Sequence, residues 1–454
     1  MPDNSTPKHH HNKMGTEPIG KLLLSMSLPA MFSMLIQALY NIVDSIYVAQ
    51  IGEHALTAVS LAFPVQNLMI AVSVGTGVGL NSLISRRLGE RREKEASAAA
   101  THGVLISFAE SLLFLLFGLF FCRMFFSAFT NDPTVIQMGV EYTSIVTIFS
   151  FGCFIEINLE KTLQATGNMF YPMVFQLIGA ISNIILDPIF IFGLGLGTSG
   201  AAIATGLSQF ISFCILLAQC NLRRECIHIR IGNFRPSLFL YGKILSGGLP
   251  SLTRQGMASI ATIVLNTTAH PFGDAAIAAM AIVNRLIYFV NSAVIGFGQG
   301  FQPVCGFSYG ARKYSRVRQA YWFCVKFTTC ILVVVCAGGF LVSGHVISLF
   351  RKNDPEVIAI GTLALRLQIA TMWMNGFLTM SNMMSQSIGY GFRATLLAIS
   401  RQGLFLIPVL LIAAHFLGLL GIQLAQPVAD IATLVLTLVI IRGIFREFNK
   451  LEGL

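Results

Sequence analysis

Residues 51–60 read IGEHALTAVS and residues 272–281 read FGDAAIAAMA, so Gly52, Glu53, Ala55 and Ala58 recur 221 positions later as Gly273, Asp274, Ala276 and Ala279. Outward from this pair at the same offset, Pro29 falls on Pro250, GTGVG (75–79) on GFGQG (296–300), Gly89 on Gly310, Arg91 on Arg312, and Gly197 and Gly200 on Gly418 and Gly421. With one extra residue, Asp132-Pro133 meets Asp354-Pro355, and Gln164 and Gly167 meet Gln386 and Gly389. Chain punctuation that repeats along with hydrophobicity marks an internal duplication covering most of the chain.

Each copy is built for lipid. Of 454 residues, 54% are hydrophobic and only 11% charged, with a mean hydropathy of +0.72, too apolar for a water-facing surface. Apolar runs continue for about 20 residues or more without the alternation of membrane strands, which predicts an all-α polytopic membrane protein. Spans are expected at 22–50, 56–84, 98–122, 136–160, 170–192 and 200–220, then at 244–270, 275–303, 319–345, 357–384, 393–415 and 419–442. Six crossings return the chain to its starting side. The two copies are therefore parallel repeats related by a pseudo-two-fold axis along the membrane normal, as in transporters. The expected organisation is a tail (1–20), a first lobe of six spans (21–222), a linker (223–243), a second lobe of six spans (244–442) and a tail (443–454).

The net charge of +10 is carried by basic residues in the tails and alternate loops, among them Arg86, Arg87, Arg91, Arg92, Arg223, Arg224, Arg230, Arg235, Arg312, Arg316, Arg442 and Lys450. By the positive-inside rule both termini are cytoplasmic, and the charge serves topology and anionic headgroups, not nucleic acid. Nine cysteines without metal-ligand spacing read as apolar packing residues. The polar head shows no cleavable signal sequence, its three-His run is left out of the mechanism, and Met1 and Met14 are both candidate starts.

Ionisable groups inside a span cost several kcal/mol unless paired or hydrated, which makes each a functional candidate. Asp44 stands in span one in LYNIVD (39–44), and Asp187 in span five in NIILDP (183–188). Tyr40 and Asp44 share a helix face, as do Asn183 and Asp187, each pair being four residues apart. Measured from the span ends at about 1.5 Å per residue, Asp44, Asp187, Thr205 and Tyr142 all fall in the outer half of the membrane. Asn41 adjoins this face. Two carboxylates among neutral oxygens suit a hard monovalent cation or a proton, because both resist ionising together in low dielectric. Pro188 frees the carbonyl of Ile184, and Pro29 frees that of Ser25 and marks a bend in span one. The bland alternative is polar glue between helices.

Glu156 and Glu160 near Lys161 read as a solvated face; Glu110 and Asp430 are further intramembrane acids. Arg254, Arg285, Arg366 and Arg401 need partners or water, and Arg285 is either a structural ion pair or part of a second-lobe cavity. Met383, in a Met-rich tenth span, is a candidate for an adaptable cavity wall or for plain packing. GTGVG sits in an apolar run and reads as a close helix contact. No Walker, HExxH or GxSxG sequence supports ATP-driven export or hydrolysis, so no enzyme is expected.

The run LYNIVDSIYVAQIGEHALTAVSLAFP (39–64), with NIILDPIF at 183 and GAAIAT at 200, resembles the multidrug and toxic compound extrusion (MATE) family, and the likeness extends along essentially the whole chain. It resembles the bacterial DinF-like branch, whose first-lobe cation site matches here at Asp44, Asn183, Asp187 and Thr205. Tyr142 and Pro29 match a lobe tyrosine and the bending proline. Unlike the NorM-like branch, span seven carries Arg254 and no acid. The resemblance implies an antiporter in a bacterial inner membrane that exports lipophilic, often cationic compounds by alternating access. The exchange ion would be H⁺ or Na⁺, the latter held at those four residues. It implies no further cofactor, lipids and drug-like molecules as partners, and function as a monomer. The alternative is a lipid-linked saccharide flippase of the wider superfamily, which would need a large basic groove for phosphates and which Arg254, Arg285 and Arg401 keep open.

Overall fold

The structure is a computed structural model that describes residues 13–222, 237–350 and 354–453. The first repeat forms α1 (Ile19–Ile51), α2 (Glu53–Gly89), α3 (Glu93–Phe129), α4 (Pro133–Ile148 with Ser150–Ala165), α5 (Phe170–Gly193) and α6 (Gly197–Leu222). The second forms α7 (Leu238–Ala269), α8 (Asp274–Gly310), α9 (Tyr314–Phe350), α10 (Pro355–Met372 with Asn375–Ser387), α11 (Gly391–Leu417) and α12 (Leu419–Glu452). Among the described residues nine helices are long and apolar enough to cross a membrane, and the bent pairs α4 and α10 bring this to eleven. The twelfth, α7, has the length, 32 residues, but its apolar character is diluted by Lys243, Arg254, Gln255, Ser259 and Thr262.

The duplication is visible in the geometry. Asp132 and Asp354 cap α4 and α10, their Oδ1 atoms accepting from Thr134 N at 2.9 Å and Val357 N at 3.2 Å, with a proline in the first turn of each. Both helices then bend, by 44° and 54°. Gly167 and Gly389 close them with φ of +93° and +90°, a conformation that explains why glycine recurs there.

Helices run past the expected boundaries, because backbone hydrogen bonding continues where the apolar run stops. The expected linker overlaps α7, whose Ser237 cap accepts from Leu240 N at 3.3 Å; residues 223–236, with Arg223, Arg224, Arg230 and Arg235, lie outside the described residues. The expected C-terminal tail continues α12, because Phe448 is buried against Tyr309 and Tyr314. At the other terminus a short turn, Lys13–Thr16, is seated on both lobes: Met14 meets Gly167, Gly15 meets Phe307, and Arg316 Nη2 donates to the carbonyls of Met14 (3.0 Å) and Glu17 (2.7 Å). Pro29 lies within an unbroken α1, so it does not divide the span, whereas Pro188 is followed by a π turn at Ile189–Gly193.

The lobes meet through the repeated glycines, where α2 packs along α7 and α8 along α1. A Cβ on Gly79 would stand 2.1 Å from Ile244 O, one on Gly248 2.3 Å from Gly75 O, and one on Gly300 2.4 Å from Ser27 Cα. Gly89 and Gly310 repeat the contact where α2 crosses α8, each 2.1 Å from the opposite backbone carbonyl on the same measure. All these contacts lie towards the termini. There residues 77–85 of α2 and 300–306 of α8 are buried all round, while on the far side Ser60, Pro64 and Leu68 of α2 and their equivalents Ala281, Arg285 and Phe289 of α8 are exposed. Since 64 and 75, or 285 and 296, are three turns apart on one face, the surfaces that seal the lobes at the termini side, continued along α2 and α7 up to the hydrogen bond from Asn67 to Ser259, part into a cleft beyond it.

Backbone approach this close leaves no room for a side chain. Gly79→Val and Gly300→Val should each destabilise the protein by about 1–3 kcal/mol or more, read as a lower Tm in detergent. Gly256→Val, which has nothing within 4 Å of its Cβ, should change Tm far less.

Candidate functional site

Within the first lobe, α1 packs on α5 and α5 on α6, and the three helices bring the expected polar residues together. The Asp44 and Asp187 carboxyl groups are in hydrogen-bonding contact with each other. Asp187 is fully buried and Asn183 nearly so. Asn183 Nδ2 stands 3.3 Å from Thr205 Oγ1. Turning its amide by half a turn makes two better bonds, to Asp187 Oδ2 at 2.8 Å and from Thr205 N at 3.2 Å. Tyr40 shares a side-chain hydrogen bond with Thr205. Tyr142, buried on α4, completes the wall, its hydroxyl accepting from Gln66 Nε2 of α2 at 2.9 Å. Asn41 lies on an exposed face of α1 beside this group.

The chemistry follows from the contact. Two carboxylates cannot touch while both are charged, so the pair needs a shared proton or a cation between them. The Oδ1 atoms of Asp44 and Asp187 are both buried with no hydrogen-bond partner among the described residues. With Thr205 Oγ1 they form a set of oxygen donors of the kind that suits a hard monovalent cation, and Asn183 holds Asp187 and the Thr205 backbone in place beside it.

The remaining candidates lie elsewhere. Glu110 on α3 bonds Thr76 Oγ1 of α2 at 2.5 Å. Met383 is buried with its sulfur against Gly298, so it belongs to the second-lobe core and not to a cavity wall. Arg401 Nε reaches Asp430 Oδ1 at 2.9 Å, an oxygen that also accepts from Gln426 Nε2 at 2.9 Å, and Arg366 Nε donates to Ser343 Oγ at 2.8 Å. Arg254 and Arg285 have no hydrogen bond or ion pair among the described residues.

Two residues exceed what sequence reasoning found. Gln66 was hidden among ordinary span residues. Lys161 is not on a solvated face; its side chain is 5% exposed, because the two lobes close over it. Its Nζ donates to Glu160 Oε1 (3.2 Å), Gln164 Oε1 (3.0 Å) and, across the seam, Gln299 Oε1 of α8 (3.1 Å). On the other side of the seam Ser82 Oγ donates to Gln386 O (2.9 Å) and Arg86 Nη1 to Ile388 O (3.2 Å). A lysine beside two glutamates in a span looks solvated unless the facing helix is known.

Two parallel six-helix lobes, sealed at one side and enclosing a buried acid pair, define a membrane transporter architecture. The MatE family model matches residues 29–189 and 250–412, one match per lobe, and the chain belongs to that family, the MATE transporters. Multidrug export protein MepA of Staphylococcus haemolyticus is 25% identical over 91% of both chains, and MepA of Staphylococcus aureus is similar to the same degree. Among solved structures, MATE in complex with MaL6 superposes with a TM-score of 0.92 at 27% identity, covering 97% of this chain and 99% of that one. The outward-facing conformation of a multidrug resistance MATE family transporter of the MOP superfamily gives 0.92 at 27% identity, covering 98% and 99%.

The acid pair makes stability depend on pH in a definite direction. Proton loss from touching carboxyls adds like-charge repulsion to the folded state only, so stability falls as pH rises, and a bound cation offsets the loss. The Tm of the wild type should fall with rising pH, while Asp44→Asn should flatten the response; an unchanged pH slope in the variant contradicts the shared-proton pair.

Proposed function

We propose that this protein is a secondary multidrug exporter of a bacterial cell membrane that takes up H⁺ or Na⁺ at Asp44, Asn183, Asp187 and Thr205 in exchange for organic compounds. The observation that carries this reading is the contact of Asp44 with Asp187, supported by the export function named for the relatives. With the positive-inside orientation the termini are cytoplasmic and the cleft opens outward.

The coupling route is α1. Its inner part meets α8 at Ser27, Ala30 and Met31, and its outer part carries Tyr40 and Asp44. Loading the acid pair favours one packing of α1 on α5, and that packing bears on the same helix that closes the seam. Ion and drug then favour opposite access states, and the linkage is reciprocal: a tenfold loss of drug affinity on ion binding equals a tenfold loss of ion affinity on drug binding, about 1.4 kcal/mol either way. Pro29 lies within the inner contact of this lever, between Ser27 and Ala30. The six-helix lobes enclose the site within one chain, in keeping with a working monomer surrounded by lipid.

The test is efflux from proteoliposomes, using a dye panel that includes ethidium, under an imposed Na⁺ gradient and separately an imposed pH gradient. Wild type should export under at least one gradient, and the effective gradient identifies the ion. Asp44→Asn should lose coupled export while remaining folded in the membrane. Normal gradient-driven export by that variant contradicts the site.

A further inference from the structure

Four arginines, Arg254, Arg285, Arg366 and Arg401, lie about ten residues or more from either end of their second-lobe helices, on the termini-distant side of the basic ends, and the bundle satisfies two. Arg401 is paired with Asp430, and Arg366 is bonded to Ser343 and lies 5.1 Å over the Phe340 ring. Arg254 and Arg285 have no such partner of any kind among the described residues. An isolated guanidinium at membrane depth is costly, and its usual place is a watered cavity facing something that it binds.

The position of Arg285 is set by the seam below it. Gly296 meets Ala30 and Met31, and Gly300 meets Ser27. Arg285 is three turns further out on the same α8 face, and it is exposed. Because α1 and α8 run antiparallel, that register carried outward sets Arg285 opposite about residue 42, within a turn of Asp44. The guanidinium therefore stands on the second-lobe wall of the cleft at the depth of the acid pair. At the equivalent α2 position the repeat has Pro64, flanked on that face by Ser60 and Leu68, so the charge breaks the symmetry of an otherwise uncharged face. Arg254 sits deeper, on the α7 face that carries Gly247 and Ser251, which bond Gln386.

We infer that Arg285 forms an oxyanion subsite that takes the carboxylate or phosphate of an amphiphilic compound. The planar fork of arginine pairs bidentately with either group. This rests on the export reading and narrows it. The cleft has an ion-loaded, nearly neutral acid pair on one wall and a positive group on the other, so it favours compounds bearing an anionic group over their purely cationic counterparts.

The experiment compares rhodamine 110, which has a free carboxyl group, with rhodamine 123, its methyl ester, binding the full-length protein in phosphatidylcholine nanodiscs, read by fluorescence anisotropy. The expected result is binding of the acid about tenfold tighter than the ester. Arg285→Gln should remove this preference by weakening the acid alone, and Arg285→Lys should keep part of it; retained ester binding shows that the variants are folded. Equal affinities in the wild type, or a preference that survives in Arg285→Gln, would overturn the subsite and leave the export reading standing. Failure of the wild type to bind either dye would count against the export reading, and the subsite would fall with it. Adding phosphatidylglycerol separates the sources: competition against the acid alone assigns the oxyanion to a lipid headgroup, and no competition assigns it to a soluble compound.

Discussion

Two carboxyl groups in contact inside an apolar bundle cannot both be ionised, and the rest of the molecule is arranged around that prohibition. Asp44 arrives on α1 and Asp187 on α5, with Asn183 and Thr205 at their sides and Tyr142 held by Gln66 behind them. Such a pair calls for one positive charge, a shared proton or a cation, and the helix that carries half of it also forms the seam between the lobes. Chemistry at the site and closure at the seam thus share one mechanical element, α1.

The seam is stiff for a simple reason. Glycines at 75, 79, 248, 296 and 300 let backbones touch, and the polar ties of Lys161, Ser82 and Arg86 secure the same side. Nothing comparable joins α1 to α8 at the level of Arg285. The α2–α7 contact runs on from this side as far as the hydrogen bond from Asn67 to Ser259; a pair of lobes held up to that level and open beyond it has one easy motion, a rocking about the contact, and packed interfaces of this kind switch between discrete arrangements.

Much of this was legible in the sequence because the duplication preserved residues with special backbone duties. Gly52 and Gly273, or Asp132-Pro133 and Asp354-Pro355, mark turns and caps that have few substitutes, so they survive where the hydrophobic filling has drifted. The acid cluster was legible for a related reason: a charge within an apolar run stands out, and a four-residue spacing puts it on a known face. Span ends were less so, since helices such as α12 continue on aromatic contacts after the apolar run ends. Lys161 and the four arginines could not be told apart, because whether a buried cation is paired depends on which helix faces it; Arg401 finds Asp430 only through the packing of α11 on α12.

The most direct measurement counts the ions released when a transported dye binds. Isothermal titration of the detergent-solubilised protein, run in two buffers of different ionisation enthalpy and repeated at low and high Na⁺, gives the number of protons or the sodium dependence per dye bound. Release of about one positive charge, as H⁺ or Na⁺, per dye is the expected result, with none from Asp44→Asn. Dye binding by the wild type with no ion exchanged in either form would contradict the coupling.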